Sequence, residues 1–329
     1  MAAGGRPASM RAVQYSCYGG GSAALKHVQV PVPLPKKDEV LIKVQAVSIN
    51  PADWHIQNGP LRPFLPRFPF IPVSDVAGEI VEIGSAVREF KVGDYVLSKI
   101  FFLKAGGLAE YVTVSEGETV VCPAGISAAD AAGLPLAGLT ALQAVKAIGT
   151  KFDGTGTGAN ILITAASGGI GTYAVQLAKL GNHHVTATCG TRNLDLIRSL
   201  GADEVLDYTT PEGAAFKNQT GRKYDYIINI TNDGRWSVFK PTLSSRGRVV
   251  DVAPCGENYV ASVMTLFARK KISWVLMNLG KEELKFLVEL MKQGKLKTVI
   301  DSRHPLEKAA DAWEKSMSGH ATGKIIVEM

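Results

Sequence analysis

Residues Ile161-Leu-Ile-Thr-Ala-Ala-Ser-Gly-Gly-Ile-Gly-Thr-Tyr-Ala-Val-Gln-Leu-Ala-Lys-Leu-Gly181 read, in order, as a short apolar strand, a turn of small residues and an amphipathic helix. Ala166, Gly168 and Gly171 hold the spacing of a G-x-G-x-x-G dinucleotide fingerprint, with alanine at its first glycine. Each position answers a physical demand. The chain must turn tightly at Ala166, approach a pyrophosphate closely at Gly168, and bring helix against strand at Gly171. Ser167, Gly169 and Ile170 complete the turn, whose N–H groups and positive helix end suit phosphate. Ile170, Ala174, Leu177 and Ala178 follow at helical spacing, which separates this stretch from a chance glycine pattern.

The next strand, His184-Val-Thr-Ala-Thr188, bears on which dinucleotide is bound. NAD-specific folds place an acid near its end to hold the ribose 2′-hydroxyl. Here Thr188 is followed by Cys189-Gly-Thr-Arg-Asn193, with no carboxylate to repel a 2′-phosphate. Arg192 can pair with such a phosphate through two parallel N–H bonds. Tyr208, at the end of Glu204-Val-Leu-Asp-Tyr208, can close the same pocket. The alternative is that Arg192 merely starts the helix before Leu200, although a first-turn cation opposes the helix dipole. The pattern favours NADPH over NADH.

Length and composition set the bounds. A chain of 329 residues accommodates two domains, and 46% hydrophobic with 20% charged residues excludes global disorder. The net charge of +6 is spread along the chain, with Lys36-Lys37 and Lys270-Lys271 the doublets near motifs. A solvated basic surface is the plain reading; an anionic membrane surface stays open, and nucleic acid is not an expected partner. Cys17, Cys122, Cys189 and Cys255 stand far apart without a C-x-x-C pair, which argues for a reducing compartment and against a structural zinc lobe. No run approaches the length of a membrane-spanning helix. Met1 to Met10 lack the apolar region of a signal peptide, are short for a transit peptide, and read as a frayed leader.

Met10 to about Pro123 reads as β-rich, with strands expected at 40–49, 76–83, 95–97 and 109–114. From Ala128 helices and strands alternate, which is the signature of a doubly wound parallel sheet. Helices are expected at 128–133, 138–148 and 193–200, and strands at 224–230 and 248–252. The tail reads helix (281–293), helix (305–316) and strand (324–327), and is expected to return to the first domain. The expected division is 1–130 with 275–329 for the β-rich domain and 131–274 for the cofactor domain. Gly154-Thr-Gly-Thr-Gly158 precedes the fingerprint strand and reads as a loop.

Asn50-Pro-Ala-Asp53, Asp75-Val-Ala-Gly-Glu79, Val92-Gly-Asp94, Gly106-Gly-Leu-Ala-Glu-Tyr111 and Leu136-Ala-Gly-Leu-Thr-Ala-Leu142 resemble the medium-chain dehydrogenase/reductase superfamily, in its zinc-free quinone oxidoreductase branch. The fingerprint, Leu200-Gly-Ala-Asp203 and Thr322-Gly-Lys324 complete them, so the resemblance covers essentially the whole chain. Asp53-Trp54, Leu61-Arg-Pro-Phe-Leu-Pro-Arg67, Thr186-Ala-Thr-Cys-Gly190 and Ser318-Gly-His-Ala-Thr-Gly-Lys-Ile-Ile326 resemble, more narrowly, its plant chloroplast-envelope group. The resemblance implies a GroES-like catalytic domain beside a Rossmann domain, a homodimer, and a peripheral place at the chloroplast inner envelope, with the cytoplasm as the alternative. Zinc-dependent relatives carry a Cys where this chain has Asn50 and a His-Glu pair at Ser74-Asp75, so no metal site is expected. His183-His184 begins a strand, where neighbouring side chains point to opposite faces and chelate poorly.

Without a Lewis acid, oxidising an alcohol is hard, whereas reducing an activated C=C needs only a hydride, a stabilised enolate and a proton. The resemblance points the same way, to NADPH-dependent reduction of enones, enals and quinones. The rival readings are an enoyl-thioester reductase and a non-catalytic, NADPH-stabilised binding protein. Asn50 is expected beside the nicotinamide as a neutral donor, or else as a turn residue before Pro51. Asp53 either orients Asn50 or the substrate, or caps a helix. His55 is a candidate proton source, or a structural histidine. By resemblance Thr140 contacts the nicotinamide ribose or amide; otherwise it bonds a preceding helix carbonyl. Glu110-Tyr111 reads as structural, within a strand. The apolar stretch Gly59–Phe70, which carries Arg62 and Arg67, has three readings: plain packing, a lid over a hydrophobic substrate, or a peripheral membrane contact.

Overall fold

The computed structural model describes residues 6–59, 68–275 and 280–329. The stretch containing Arg62 and Arg67, on which the lid and membrane readings rest, lies outside the described residues. The chain divides into two compact units. One comprises Met1–Leu136, Leu279–Gln293 and Thr298–Met329; the other comprises Ala137–Asn278 and Gly294–Lys297.

The first unit opens with the antiparallel pair β1 (Ser9–Gln14) and β2 (Lys26–Pro31). Next come β3 (Glu39–Ile49), helix α1 (Pro51–Asn58), β4 (Asp75–Ile83), β5 (Tyr95–Lys99), β6 (Tyr111–Ser115) and β7 (Thr119–Val121). Pro51 suits the first turn of α1 because its missing N–H would have had no helical partner. Helices α2 (Ala128–Gly133) and α3 (Pro135–Ala147) follow, and the division between units falls after Leu136, within α3.

The second unit contains β8 (Asn160–Ile163), α4 (Gly169–Leu180), β9 (His184–Cys189), α5 (Leu194–Ser199), β10 (Glu204–Asp207) and α6 (Pro211–Ala214). It continues with β11 (Tyr224–Asn229), α7 (Trp236–Phe239), β12 (Leu243–Asp251), α8 (Gly256–Met264) and β13 (Lys271–Trp274). The six strands are parallel in the order β10-β9-β8-β11-β12-β13. The order reverses at β8, and in open parallel sheets ligands bind outside the strand carboxyl ends at such a reversal. Apolar runs such as Ile161-Leu-Ile163 are fully buried, as a sheet covered on both faces requires.

The chain then returns to the first unit through α9 (Lys281–Lys292), β14 (Ile300–Pro305), α10 (Ala309–Met317) and β15 (Lys324–Glu328). Its main sheet runs β14-β15-β3-β4-β5-β7, with β6 also paired to β3. The core beneath it gathers Val40, Ile42, Val76, Ile80, Val96 and Ile325 with the fully buried Trp313 of α10.

Several expected bounds shift by a few residues: the helix expected at 138–148 is Pro135–Ala147, the strand at 248–252 is Leu243–Asp251 and the helix at 305–316 is Ala309–Met317. The strand expected at 109–114 spans Tyr111–Ser115, so Glu110 lies just before it. The Glu110 carboxylate accepts the Arg11 backbone N–H at 2.6 Å and Arg11 Nε at 3.0 Å, which gives it a structural task. The helix expected at 193–200 begins as a 3-10 turn, Thr191–Asn193, and becomes α-helical only at Leu194.

Candidate active site

In the first unit, sheet register gathers a buried charged cluster from residues far apart in sequence. Ile325 pairs with Ile49, so Lys324 opens β15 beside Asn50 at the end of β3. Ser48 pairs with Asp75 at the start of β4, and Asp75 pairs with Lys99 at the end of β5. Asn50, Asp53, Asp75, Lys99 and Lys324 are all buried.

Asn50 is the hub. It precedes α1, and its backbone N–H donates to the Asp53 carboxylate at 2.7 Å, the return arm of a capping box. Its Nδ2 donates to the Ser48 carbonyl at 3.1 Å and to Asp75 Oδ2 at 2.9 Å, and its Oδ1 accepts a short hydrogen bond from Lys324 Nζ. Asp75 also accepts the Leu136 N–H at the start of α3, where a carboxylate suits the helix dipole. Lys99 Nζ donates to the Ile100 carbonyl at 2.8 Å.

Asp53 is thus not the N-cap residue itself, which is Asn50, but the third helical residue, whose carboxylate holds the Asn50 backbone in the capping box. Both Nδ2 hydrogens of Asn50 are committed to protein acceptors, so the amide is a fixed element of the network and not a loose donor. His55 is not brought to this cluster. Two residues along α1 from Asp53 the helix has turned about 200°, and His55 lies exposed, stacked on Trp54 at 3.9 Å between ring centroids. Partial desolvation against its neighbours lowers its pKa. Asp75, Lys99 and Lys324 are the members that motif reading did not assign a chemical role.

Burial pushes the Asp53 carboxyl up to about 7, against the pull of the Asn50 N–H and the two lysines. The folded protein thus holds a proton on Asp53 that the unfolded chain has released, between about pH 4 and about pH 7. The stability this contributes is present at low pH and lost as pH rises through that window. Asp75, also raised by burial, acts in the same direction. Melting temperature should fall from about pH 5 to about pH 7.5. Asp53→Asn, which keeps an acceptor for the Asn50 N–H, should flatten that slope; an unchanged slope would place the titration elsewhere.

In the second unit the fingerprint turn joins β8 to α4. The Ala166 N–H bonds the Thr188 carbonyl at 2.8 Å and the Gly168 N–H bonds the Ala165 carbonyl at 3.0 Å, so the turn is anchored on β9. The first helical bond runs from the Thr172 N–H to the Gly168 carbonyl, leaving the N–H groups of Gly169, Ile170 and Gly171 at an open helix start. A Cβ at Gly171 would lie 2.3 Å from the Ala165 carbonyl oxygen; at Gly168 only that oxygen lies near, at 3.4 Å. The protein alone demands glycine at Gly171. Gly168 leaves room that the protein itself does not need, and with the open start of α4 the turn fits a dinucleotide pyrophosphate.

Thr188, Cys189, Arg192 and Tyr208 gather at the carboxyl ends of β9 and β10, beside this turn. Thr188 and Cys189 are buried, and burial pushes the Cys189 thiol up to about 11, so it is core and not a nucleophile. Arg192 is exposed in its 3-10 turn, and the Tyr208 hydroxyl lies where a Cβ on Gly190 would sit 3.1 Å away. One expectation needs correction. A carboxylate is present: Asp207 ends β10 and accepts from Thr191 Oγ1 at 2.5 Å, because pairing places Asp207 level with Cys189. It also accepts the Thr209 N–H and hydroxyl, so its oxygens are turned into their own loop. Thr140 is buried on α3 in this unit. His183 bonds Thr150 and the Ala159 N–H while His184 is exposed, so the pair does not chelate.

Known proteins share this architecture. The family described as alcohol dehydrogenase GroES-like domain matches residues 36–124, and that described as zinc-binding dehydrogenase matches residues 200–327. The chloroplast envelope quinone oxidoreductase homolog of Arabidopsis thaliana is 58% identical over 97% of this chain and 98% of its own. This chain belongs to the medium-chain dehydrogenase/reductase superfamily. The chloroplastic NADPH-dependent alkenal/one oxidoreductase of Arabidopsis thaliana, a more distant relative, is 34% identical over 98% of this chain and 80% of its own. The solved quinone oxidoreductase of Coxiella burnetii superposes with a TM-score of 0.86 at 30% identity, covering 98% of this chain and 99% of that one. Within the superfamily the chain falls in the quinone oxidoreductase branch, and it is an oxidoreductase built for a nicotinamide cofactor. Zinc does not fit the residues present. Among the described residues no three His, Cys, Asp or Glu side chains form a group that could hold a metal ion, and the Asn50 cluster already contains the Lys324 ammonium.

Proposed function

We propose that this chain is an NADPH-dependent reductase of the activated C=C bond of α,β-unsaturated carbonyls: enones, enals, lipid-derived oxo compounds and quinones. The observation that carries the reading is Asn50, locked by Asp53, Asp75 and Lys324 where zinc-dependent relatives hold a metal ligand. The cofactor, when bound, would supply a hydride from its nicotinamide C4. The α4 start and Gly168 would hold its pyrophosphate, with Arg192 and Tyr208 at the 2′-phosphate.

The buried lysines Lys99 and Lys324 make the first-unit cluster a fixed electrostatic environment that favours negative charge developing on a carbonyl oxygen. Asn50 and Asp53 are committed to internal bonds, so the α-carbon proton comes from solvent on this reading. The name of the alkenal/one oxidoreductase relative supports both NADPH and the substrate class. Relatives named as chloroplastic support the same compartment for this chain, a placement that plastid fractionation checks. No helix among the described residues is long and apolar enough to cross a membrane.

The test is oxidation of NADPH and NADH in parallel against enones, enals, quinones and acyl-CoA enoyl thioesters. Turnover of free carbonyls with NADPH is expected. Turnover of thioesters alone would make the chain an enoyl-thioester reductase, and binding without hydride transfer would make it a non-catalytic binding protein. Arg192→Ala should raise the NADPH KM by about tenfold to a hundredfold and leave the NADH KM nearly unchanged. Equal effects on the two would remove Arg192 from the phosphate site.

A further inference from the structure

At the carboxyl ends of β8, β11 and β12 lies a second buried polar network, on the opposite side of the β8 reversal from Arg192 and Tyr208. Thr164 follows β8, Asn229 ends β11, Asp251 ends β12 and Asn258 stands in the first turn of α8; all four are buried. Asp251 is its centre. Its Oδ1 accepts Asn229 Nδ2 at 2.9 Å and the Ala253 N–H at 3.2 Å, and its Oδ2 accepts Asn258 Nδ2 at 2.5 Å. Asn229 Nδ2 also donates to the Thr231 carbonyl at 2.8 Å, and Asn229 Oδ1 accepts the Thr164 hydroxyl at 3.0 Å. Asn258 grips the same loop from the far side, donating to the Gly234 carbonyl at 2.7 Å and accepting the Trp236 N–H at 2.8 Å.

One carboxylate therefore fixes both loops that leave β11 and β12, residues 230–235 and 252–255. Neither loop lies in a helix or strand, and a buried carboxylate is a costly way to order a loop unless its placement matters. A dinucleotide laid across the strand ends has its adenosine half on the β9 and β10 side, so its nicotinamide half falls on the β11 and β12 side. We propose that Asp251, with Asn229, Asn258 and Thr164, is a positioning device that presets the two loops receiving the nicotinamide half. This inference rests on the cofactor reading above and adds residues to it.

The test separates the halves of the ligand. Each protein is titrated with NADPH and with adenosine 2′,5′-bisphosphate, which carries only the adenosine half. Every partner of Asp251 is a donor, so Asp251→Asn sets an amide N–H against at least one of them. Its NADPH affinity should fall about tenfold or more, and kcat should fall with it, while the bisphosphate affinity stays within about twofold of wild type. Unchanged NADPH affinity and kcat would overturn the proposal. If both ligands are lost together the unit has unfolded, and the milder Thr164→Val then decides. It should show the same selective loss on a smaller scale, and wild-type NADPH binding in that variant would equally overturn the proposal. Wild-type protein that binds neither compound removes the cofactor reading itself, and this inference with it.

Discussion

Lys324→Met is expected to destabilise the folded protein by about 3–5 kcal/mol, the cost of removing one partner from a buried ion cluster. The methionine fills most of the volume, so the loss is electrostatic and not a cavity effect. Asp53 and Asp75 keep Lys99 as their remaining cation, and Asn50 Oδ1 loses the ammonium that it accepts from. The carboxyls can escape part of the cost by taking up protons. Removing a cation raises their folded pKa values further, so the destabilisation should be smaller at about pH 5.5 than at about pH 8. Chemical denaturation of wild type and variant at both pH values measures this. A loss independent of pH would mean that the ammonium is not the counter-charge of these acids. Catalytic rate per folded molecule should fall as well, because the Asn50 amide loses the contact that fixes its orientation.

Much of the second unit was legible because its periods are plain. The apolar run 161–163, the glycine turn and the 3.6-residue spacing after Ile170 can be read locally, and they place β8 and α4 without tertiary information. Strand β14, Ile300-Asp-Ser-Arg-His-Pro305, shows no such period. Its faces are half-buried and polar, and it is a strand because β15 pairs with it. The site divides in the same way. Asn50 and Asp53 stand three residues apart in one motif, so their partnership is a local fact. Lys324 meets Asn50 across 274 positions, through the pairing of β15 with β3, and no spacing in the sequence encodes that register. A weaker signal was present: Asp75, Lys99, Lys324 and Asp251 each stand at the first or last position of a strand. Asp207 likewise stands at the last position of its strand, one residue before Tyr208.

Gly168→Ala and Gly171→Ala should have opposite effects, although both remove a glycine from one six-residue fingerprint. At Gly171 the new methyl group meets the Ala165 carbonyl oxygen at 2.3 Å and the Ala166 Cα at 2.6 Å, both of them backbone atoms that cannot rotate away. Helix α4 would have to move off β8, and the expected cost is about 3 kcal/mol or more, the upper end for overpacking. Gly168 has φ −76° and ψ 173°, which alanine adopts without strain, and its methyl group would meet only the Ala165 oxygen at the ordinary distance of 3.4 Å. The ligand-free stability of Gly168→Ala should therefore match wild type within about 0.5 kcal/mol. If the proposed NADPH pyrophosphate lies over this turn, the added methyl group obstructs it, so NADPH should raise the melting temperature of the wild type and raise that of Gly168→Ala far less. Thermal melts of the three proteins with and without NADPH read both effects in one experiment. Gly168→Ala that melts like wild type and is stabilised by NADPH to the same extent would show that the cofactor does not lie over this turn. A stable Gly171→Ala would show that the helix has room to shift, and that close packing at this position is not what the glycine is for.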